Sequence, residues 1–497
     1  MNDSKRQIQY GAALSYAAVA LNIISGLLFT PWMIQKIGQN QYGLYTLANT
    51  LITLFLTDFG LSSATARYVS EYHAGGEEEK VHNFLGVVYK LYFVIDLLIC
   101  AALVVTYFLI DRIYVALTPE ELVRFKVVYL IAAGFSVLNF PFVTLNGILT
   151  AYEKFIQLKL ADVIYRISLV ATMIVVLSAG GGLYAVVAVH AAVGILVVVY
   201  KQIVIRKTTT VRVNLRFSDR ALYRDIFGFS FWSTVVALSQ RLIFNITPTI
   251  LGLFCNSAAI AVFGIVMTIE GYFYTISSTI NGMFMPRIAK IYTEDRFEEK
   301  LNRLMLSIGR YQYALNGLLV VGFAIVGREF IQLWMGSAYS DAYWGILLVI
   351  IPGLFYNSLQ IANTATVVKK LVKYNAYINT AIGIINVLLS VFLSRYYGVI
   401  GACCSIFAAY TIRTVLLLIL YRKKLAINIK QFVKRCYLKM GIPMIIVVVL
   451  GMGINRLLPE AGWGMLLLKA FFIGMIYLGI VGAMNYKDAK KLIEKLK

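Results

Sequence analysis

The sequence predicts an all-α integral membrane protein of about fourteen transmembrane helices, and three observations carry that prediction. Of the 497 residues, 60% are hydrophobic and only 14% are charged, too little charge to clothe a water-soluble chain of this length. The apolar residues come in continuous blocks of roughly 20 to 28, enough to cross a hydrocarbon core about 30 Å thick. Inside that core every backbone amide needs an internal partner, which only helices or a closed barrel supply. The blocks do not alternate apolar with polar, so helices are selected.

Taken in order, the first six spans cover 11–34, 43–66, 83–110, 123–149, 157–178 and 182–206. A polar stretch, 207–223, separates them from a second six at 224–253, 257–285, 309–336, 341–366, 374–396 and 399–421. Two more follow a basic segment, at 439–458 and 462–485. The expected domains are a six-helix lobe over 1–206, the linker 207–223, a second six-helix lobe over 224–422, and 423–497 with the last two helices. Interruptions by Gly, Pro or a charge are tolerated where neighbouring helices cover the defect. Lys5 and Arg6 precede a first apolar run too long for a signal-peptide core, so it reads as an uncleaved helix.

The formal net charge is +22, and its distribution says what it is for. With these spans, about 34 of the 46 Lys and Arg residues fall on one side and about 7 on the other. Their strongest clusters are Lys201 to Arg224, Arg422 to Lys439 and the C-terminus. Such loops are a topology signal, which places both termini in the cytoplasm and argues against nucleic acid as the partner. They also meet anionic lipid heads. Lys430 to Lys439 interleaves basic with apolar residues, the pattern of a surface-lying helix.

Several functions are excluded. Cys100, Cys255, Cys403, Cys404 and Cys436 form no CxxC pair, and His73, His82 and His190 are too scattered for a metal site. No cofactor is expected. No GxxxxGK[ST] occurs and the loops leave no room for a nucleotide-binding fold. The outward loops carry no paired carboxylates for acid–base work, so an enzyme is not expected.

An internal repeat joins the two halves. Pro31 follows Gly11 by twenty residues, as Pro248 follows Gly228. Arg67 to Tyr72 lies thirteen residues before Lys80, counting from Arg67, and Arg287 to Tyr292 stands likewise before Lys300. Glu78-Glu79-Lys80 matches Glu298-Glu299-Lys300, and Lys90 matches Arg310. The offset stays at roughly 217 to 220 residues. Six spans plus six in the same orientation make a parallel repeat, the plan of transporters in which two bundles rock about a substrate path. A static duplicated protein is the alternative.

The first two spans carry a resemblance. They read Gly26-Leu27-Leu28 ahead of Pro31, Ile37-Gly38, Tyr42-Gly43-Leu44-Tyr45, Thr57-Asp58-Phe59-Gly60-Leu61 and Ala66-Arg67-Tyr68, with Met285-Pro286-Arg287-Ile288-Ala289 as the counterpart in the second half. In these, and in its span count, the chain resembles the multidrug/oligosaccharidyl-lipid/polysaccharide exporter superfamily, within it the polysaccharide transport branch that includes Wzx-type O-antigen flippases. The resemblance implies two six-helix bundles related by pseudo-two-fold symmetry. It implies a flippase for undecaprenyl-pyrophosphate-linked oligosaccharide in the bacterial inner membrane, working by alternating access, alongside other polysaccharide assembly proteins. It implies a cavity lined by the first, second, seventh and eighth helices. Many relatives carry an Asp-Arg pair on the seventh helix; here Gln240-Arg241 stands in its place.

A charge within hydrocarbon costs about 2.5 to 3.5 kcal/mol on insertion scales and therefore marks a site or a partner. An anionic carrier calls for arginine, whose planar fork grips phosphate oxygens in pairs. Arg241, Arg166 and Lys90 are the candidate substrate-binding residues, with snorkelling to the headgroups the alternative for the last two. Glu270, Asp58 and Asp96 are the candidate charge-balancing or ion-coupling residues. Asp58 alternatively caps the second helix, and Arg413 and Asp96 alternatively serve structure. Tyr272, Phe273 and Tyr274 suit sugar stacking or an interfacial belt. The competing functions are a drug or cation antiporter of the same superfamily, a lipid II flippase, and a membrane-embedded glycosyltransferase or polymerase.

Overall fold

The computed structural model describes residues 2–56, 58–281, 284–459 and 462–494. Thr57 lies outside them, as do the side chains of Lys5, Arg6, Met285 and Pro286. Nineteen α-helices and no strand occur among the described residues. In chain order they are α1 Asn2–Ile37, α2 Gln39–Phe55, α3 Leu61–Ala74, α4 Glu78–Ile113, α5 Pro119–Asn139, α6 Thr144–Ala151, α7 Phe155–Ser178, α8 Leu183–Thr208, α9 Arg220–Phe244 and α10 Thr247–Phe254. There follow α11 Ser257–Asn281, α12 Met285–Tyr292, α13 Phe297–Met335, α14 Asp341–Asn357, α15 Gln360–Val368, α16 Val372–Leu425, α17 Ile429–Phe432, α18 Lys439–Leu457 and α19 Trp463–Glu494.

Twelve of these segments are long and apolar enough to cross a membrane. Two further crossings follow from how helices are interrupted. At about 1.5 Å per residue, α16 would run about 80 Å, far beyond any bilayer. It is two helices joined at Gly398, whose φ of 55° and ψ of −131° no helix contains and which a residue with a Cβ rarely adopts. The second span is likewise split, into α2 and α3, by a turn in which Phe59 and Gly60 take φ of 52° and 69°. The count of about fourteen therefore stands.

Breaks recur at equivalent places in the two halves. The fourth span is interrupted in both: a 3-10 turn at Phe140–Val143 separates α5 from α6, and Ser358-Leu359 separates α14 from α15. The second spans of the halves correspond to α2/α3 and α11/α12. The first spans differ. Pro31 sits inside the continuous α1, whereas Pro248 opens α10 after a break at Asn245-Ile246. Proline is tolerated in the first turn of a helix, where its missing N–H has no intrahelical partner to lose.

Local chemistry sets the helix starts. Thr118 and Glu121 form a reciprocal capping box, with Glu121 N donating to Thr118 Oγ1 at 3.3 Å and Thr118 N donating to Glu121 Oε2 at 3.0 Å. Pro119 occupies the first turn, so α5 begins there. The other carboxylate oxygen of Glu121 accepts from Ser257 Oγ at 2.5 Å, pinning the start of α11. Asp219 opens α9 by accepting from Ala221 N at 2.8 Å.

The chain forms two compact units, Met1–Gly264 and Ile265–Lys497. The first has a buried core of Val69, Val81, Phe84, Phe125 and Tyr129 on α3, α4 and α5. In the second, α13, α14, α16, α18 and α19 enclose Tyr313, Ile350, Tyr410, Met444 and Tyr477.

Candidate functional site: a polar cluster inside the first unit

Four helices of the first unit bring polar side chains to one place. On α1, Asn22 and Ser25 stand three residues apart; on α2, Tyr45 and Asn49 stand four apart, so each pair shares a helix face. Tyr165 and Arg166 come from α7 and His190 from α8. The Arg166 Nε donates to Ser25 Oγ at 2.6 Å, and its Nη2 donates to the Asn22 carbonyl at 3.2 Å. Ser25 Oγ itself donates to that carbonyl at 3.3 Å. The imidazole of His190 is held on both edges, its Nε2 2.6 Å from Tyr45 Oη and its Nδ1 3.3 Å from Tyr165 Oη. Arg166, Tyr45, Tyr165 and His190 are half-buried and Asn49 is exposed. Arg166 is eleven residues after the start of α7 and twelve before its end, about 17 Å from either.

Such a cluster can hold an anion. Two of five guanidinium N–H groups are used, and Nη1 has no hydrogen-bond partner among the described residues. The tyrosine hydroxyls and the Asn49 amide add neutral donors suited to phosphate or sugar oxygens.

The other predicted residues lie elsewhere. The three candidate cations have separate partners: Arg166 on α1, Arg241 at the end of α2 and Lys90 on the linker. Arg241, in the last turn of α9, donates to the carbonyls of Thr53 and, at 2.7 Å, of Leu56. Those carbonyls end α2 and lack intrahelical partners, so a guanidinium there satisfies and charge-balances a broken helix end. Asp58 sits in the same turn, where its Oδ1 accepts from Gly60 N at 3.1 Å and its carbonyl from Leu61 N at 2.9 Å. It thereby starts α3, and it lies within electrostatic reach of Arg241. Lys90 on α4 donates to the Phe217 carbonyl at 2.9 Å and so holds the linker. Asp96, also on α4, is half-buried, with its buried Oδ1 lacking a hydrogen-bond partner among the described residues.

In the second unit, Glu270 on α11 is half-buried and within electrostatic reach of Arg413. Arg413 is 1% exposed, its guanidinium lying 3.9 Å from the Tyr356 ring centroid and 4.1 Å from that of Tyr410. Its Nη1 donates to Asn379 Oδ1 at 3.4 Å. A desolvated guanidinium between two aromatic faces is a strong cation–π arrangement. Phe273 is buried and Tyr274 is exposed.

Sequence reasoning missed three charged or titratable groups. His190 was set aside with the other histidines as too scattered for a metal; its partners come from helices far away in sequence. Lys469 and Glu329 form a buried ion pair at 2.8 Å, 0% and 3% exposed, with Asn455 Oδ1 accepting from the same Nζ at 3.0 Å. The signal was present: a lysine seven residues into the last apolar run needs a partner in hydrocarbon.

Comparison with known proteins completes the picture. Residues 11–292 match the family described as polysaccharide biosynthesis protein. The fold is similar to that of the lipid II flippase MurJ in an inward closed conformation, with a TM-score of 0.75 and 14% identity over 95% of this chain and 98% of that one. It is also similar to an inward-facing multidrug resistance MATE family transporter of the MOP superfamily, with a TM-score of 0.64 and 13% identity over 85% and 98%. A MOP superfamily transporter from Pyrococcus furiosus gives a TM-score of 0.59 at 13% identity over 84% and 94%. A search of curated proteins finds no match. With more than half its length matched, this multi-pass membrane chain belongs to the polysaccharide biosynthesis protein family, with the fold of the MOP superfamily, as its first two spans suggested.

Proposed function

We propose that the protein is a flippase that carries undecaprenyl-pyrophosphate-linked oligosaccharide across the bacterial inner membrane, with both termini in the cytoplasm. The observation that carries this reading is Arg166, a half-buried arginine at the midpoint of a membrane-length helix with donors to spare. A bilayer repels a pyrophosphate and its sugars; a cation with hydroxyl and amide neighbours lowers that barrier at its highest point. Family membership and likeness to a lipid II flippase support the same class of cargo. The lobes 1–206 and 224–422 would rock about the linker 207–223, with 423–497 as an accessory pair of helices. Arg241 and Lys90 are second-rank contacts, since helix-end and linker carbonyls already occupy them. Glu270, Asp58 and Asp96 are the candidates for ion coupling. Membrane lipids and other polysaccharide assembly proteins are the expected partners.

The competing reading is a cation antiporter, favoured by the likeness to MATE transporters. Binding separates the two. The detergent-purified protein should gain thermal stability from undecaprenyl pyrophosphate and much less from undecaprenol, which lacks the phosphates. Arg166→Ala should weaken that response about tenfold, worth about 1.4 kcal/mol. Stabilisation by a cationic dye with no response to the pyrophosphate would establish the antiporter instead.

A further inference from the structure

An open apolar groove of about 660 Å3 runs between α1 and α7, within the usual size of a ligand site, about 300–1,000 Å3. Its walls are Leu21, Ile24, Leu28 and Trp32 on α1 and Val170 and Ile174 on α7. The α7 wall is a stripe at four-residue spacing, 170, 174 and 178, that continues one turn earlier to residue 166. On α1, Ser25 lines the groove and also accepts the Arg166 Nε–H at 2.6 Å. An apolar channel and a guanidinium therefore share a wall, both inside the first unit.

The geometry points to this groove as the seat of the polyprenyl tail of a lipid-linked substrate whose phosphate sits at Arg166. The inference rests on the transport reading above and adds where the tail goes. Depth selects the occupant. Arg166 stands about 17 Å from either end of α7, while the phosphate of a resident phospholipid stays at the surface, about 15 Å from the bilayer centre. Only an amphiphile whose headgroup has been drawn into the protein presents a phosphate at that depth. Its tail then needs an apolar path beginning beside the phosphate, and the groove begins there. Keeping the tail in a shaped groove also orders the carrier before it moves, which reduces the freedom lost on binding.

Photolabelling tests this with the full-length protein in phosphatidylglycerol-containing vesicles. Undecaprenyl pyrophosphate bearing a diazirine in its tail should label residues 21–32 and 170–178. Leu28→Trp fills the groove and, because Leu28 is 72% exposed, leaves the core intact; it should cut that labelling about tenfold. Leu388→Trp, on an exposed face of α16, should leave it unchanged. Labelling confined to other helices, wild-type labelling in the Leu28→Trp variant, or displacement of the label by excess phosphatidylglycerol would each overturn the assignment, the last by making the groove an ordinary phospholipid site. A protein that labels in the groove but flips no glycolipid would sink the transport reading and leave the carrier site standing.

Discussion

Lys469 is wholly buried in an apolar helix, and it persists there because Glu329 and Asn455 take up its charge and donors. Removing one partner of a buried pair leaves the other charge uncompensated, at a cost of about 3–5 kcal/mol, whereas replacing both by apolar residues of similar volume is nearly neutral. Lys469→Ala should therefore destabilise the detergent-solubilised protein by about that amount, and Lys469→Met with Glu329→Met should recover most of it. Denaturant unfolding measures both, and a single variant as stable as wild type would contradict the account. Arg413 resolves its charge differently, between two tyrosine rings. Buried charge in this chain thus has at least three uses: tying helices together, ending them, and, at Arg166, leaving donors open. Sequence position alone puts Arg241 on a par with Arg166 because it cannot tell a guanidinium spent on carbonyls from one with donors to spare.

At the scale of elements, small residues decide which segments approach. A Cβ on Gly86 would clash with the Asn214 carbonyl oxygen, so α4 needs glycine there for the linker to lie against it. Around that contact Asn214 N donates to the His82 carbonyl at 3.1 Å, and Asn214 Nδ2 donates to Asn83 Oδ1 at 2.7 Å. Gly86→Ala should lift the linker without unfolding the helices, because its carbonyl cannot give way as a flexible side chain would. Limited trypsin digestion reads this out at Arg212 and Arg216, where cleavage should speed up about tenfold as the segment's opening free energy falls by about 1.4 kcal/mol. Unchanged cleavage would show that the contact does not hold the linker. Hydropathy located the spans well, since length and apolar content are summed over many residues. It could not locate the breaks at Phe59-Gly60 and Ser358-Leu359, which depend on single-residue conformations. Nor could it show that Asn302 Nδ2 reaches the Ala426 carbonyl at 3.0 Å, fixing the end of α16 to α13.

For the whole molecule, the count of crossings fixes the sidedness of every loop. With fourteen crossings, an even number, the proposed topology would put both termini, the linker 207–223 and the basic segment before α18 on one side, and Gly398, where the helix breaks, on the other. Single cysteines placed at residues 3, 214 and 430 in a cysteine-free variant should react with impermeant maleimide only from the cytoplasmic face, and one at 398 only from the opposite face. Reaction of residue 398 from the cytoplasm would mean that α16 does not cross twice. The six-plus-six repeat was legible because duplicated charges kept their spacing over roughly 220 residues. The cluster around Arg166 was not, because its members are contributed by α1, α2, α7 and α8, and no spacing along one chain encodes that meeting.

Cargo distinguishes a flippase from an antiporter most directly. Purified protein in proteoliposomes, given undecaprenyl-pyrophosphate oligosaccharide on one face, should expose the sugar to a membrane-impermeant glycosidase on the other. Arg166→Ala should slow that exposure about tenfold. A wild-type protein that leaves the sugar fully protected while moving a cationic dye would contradict the flippase reading.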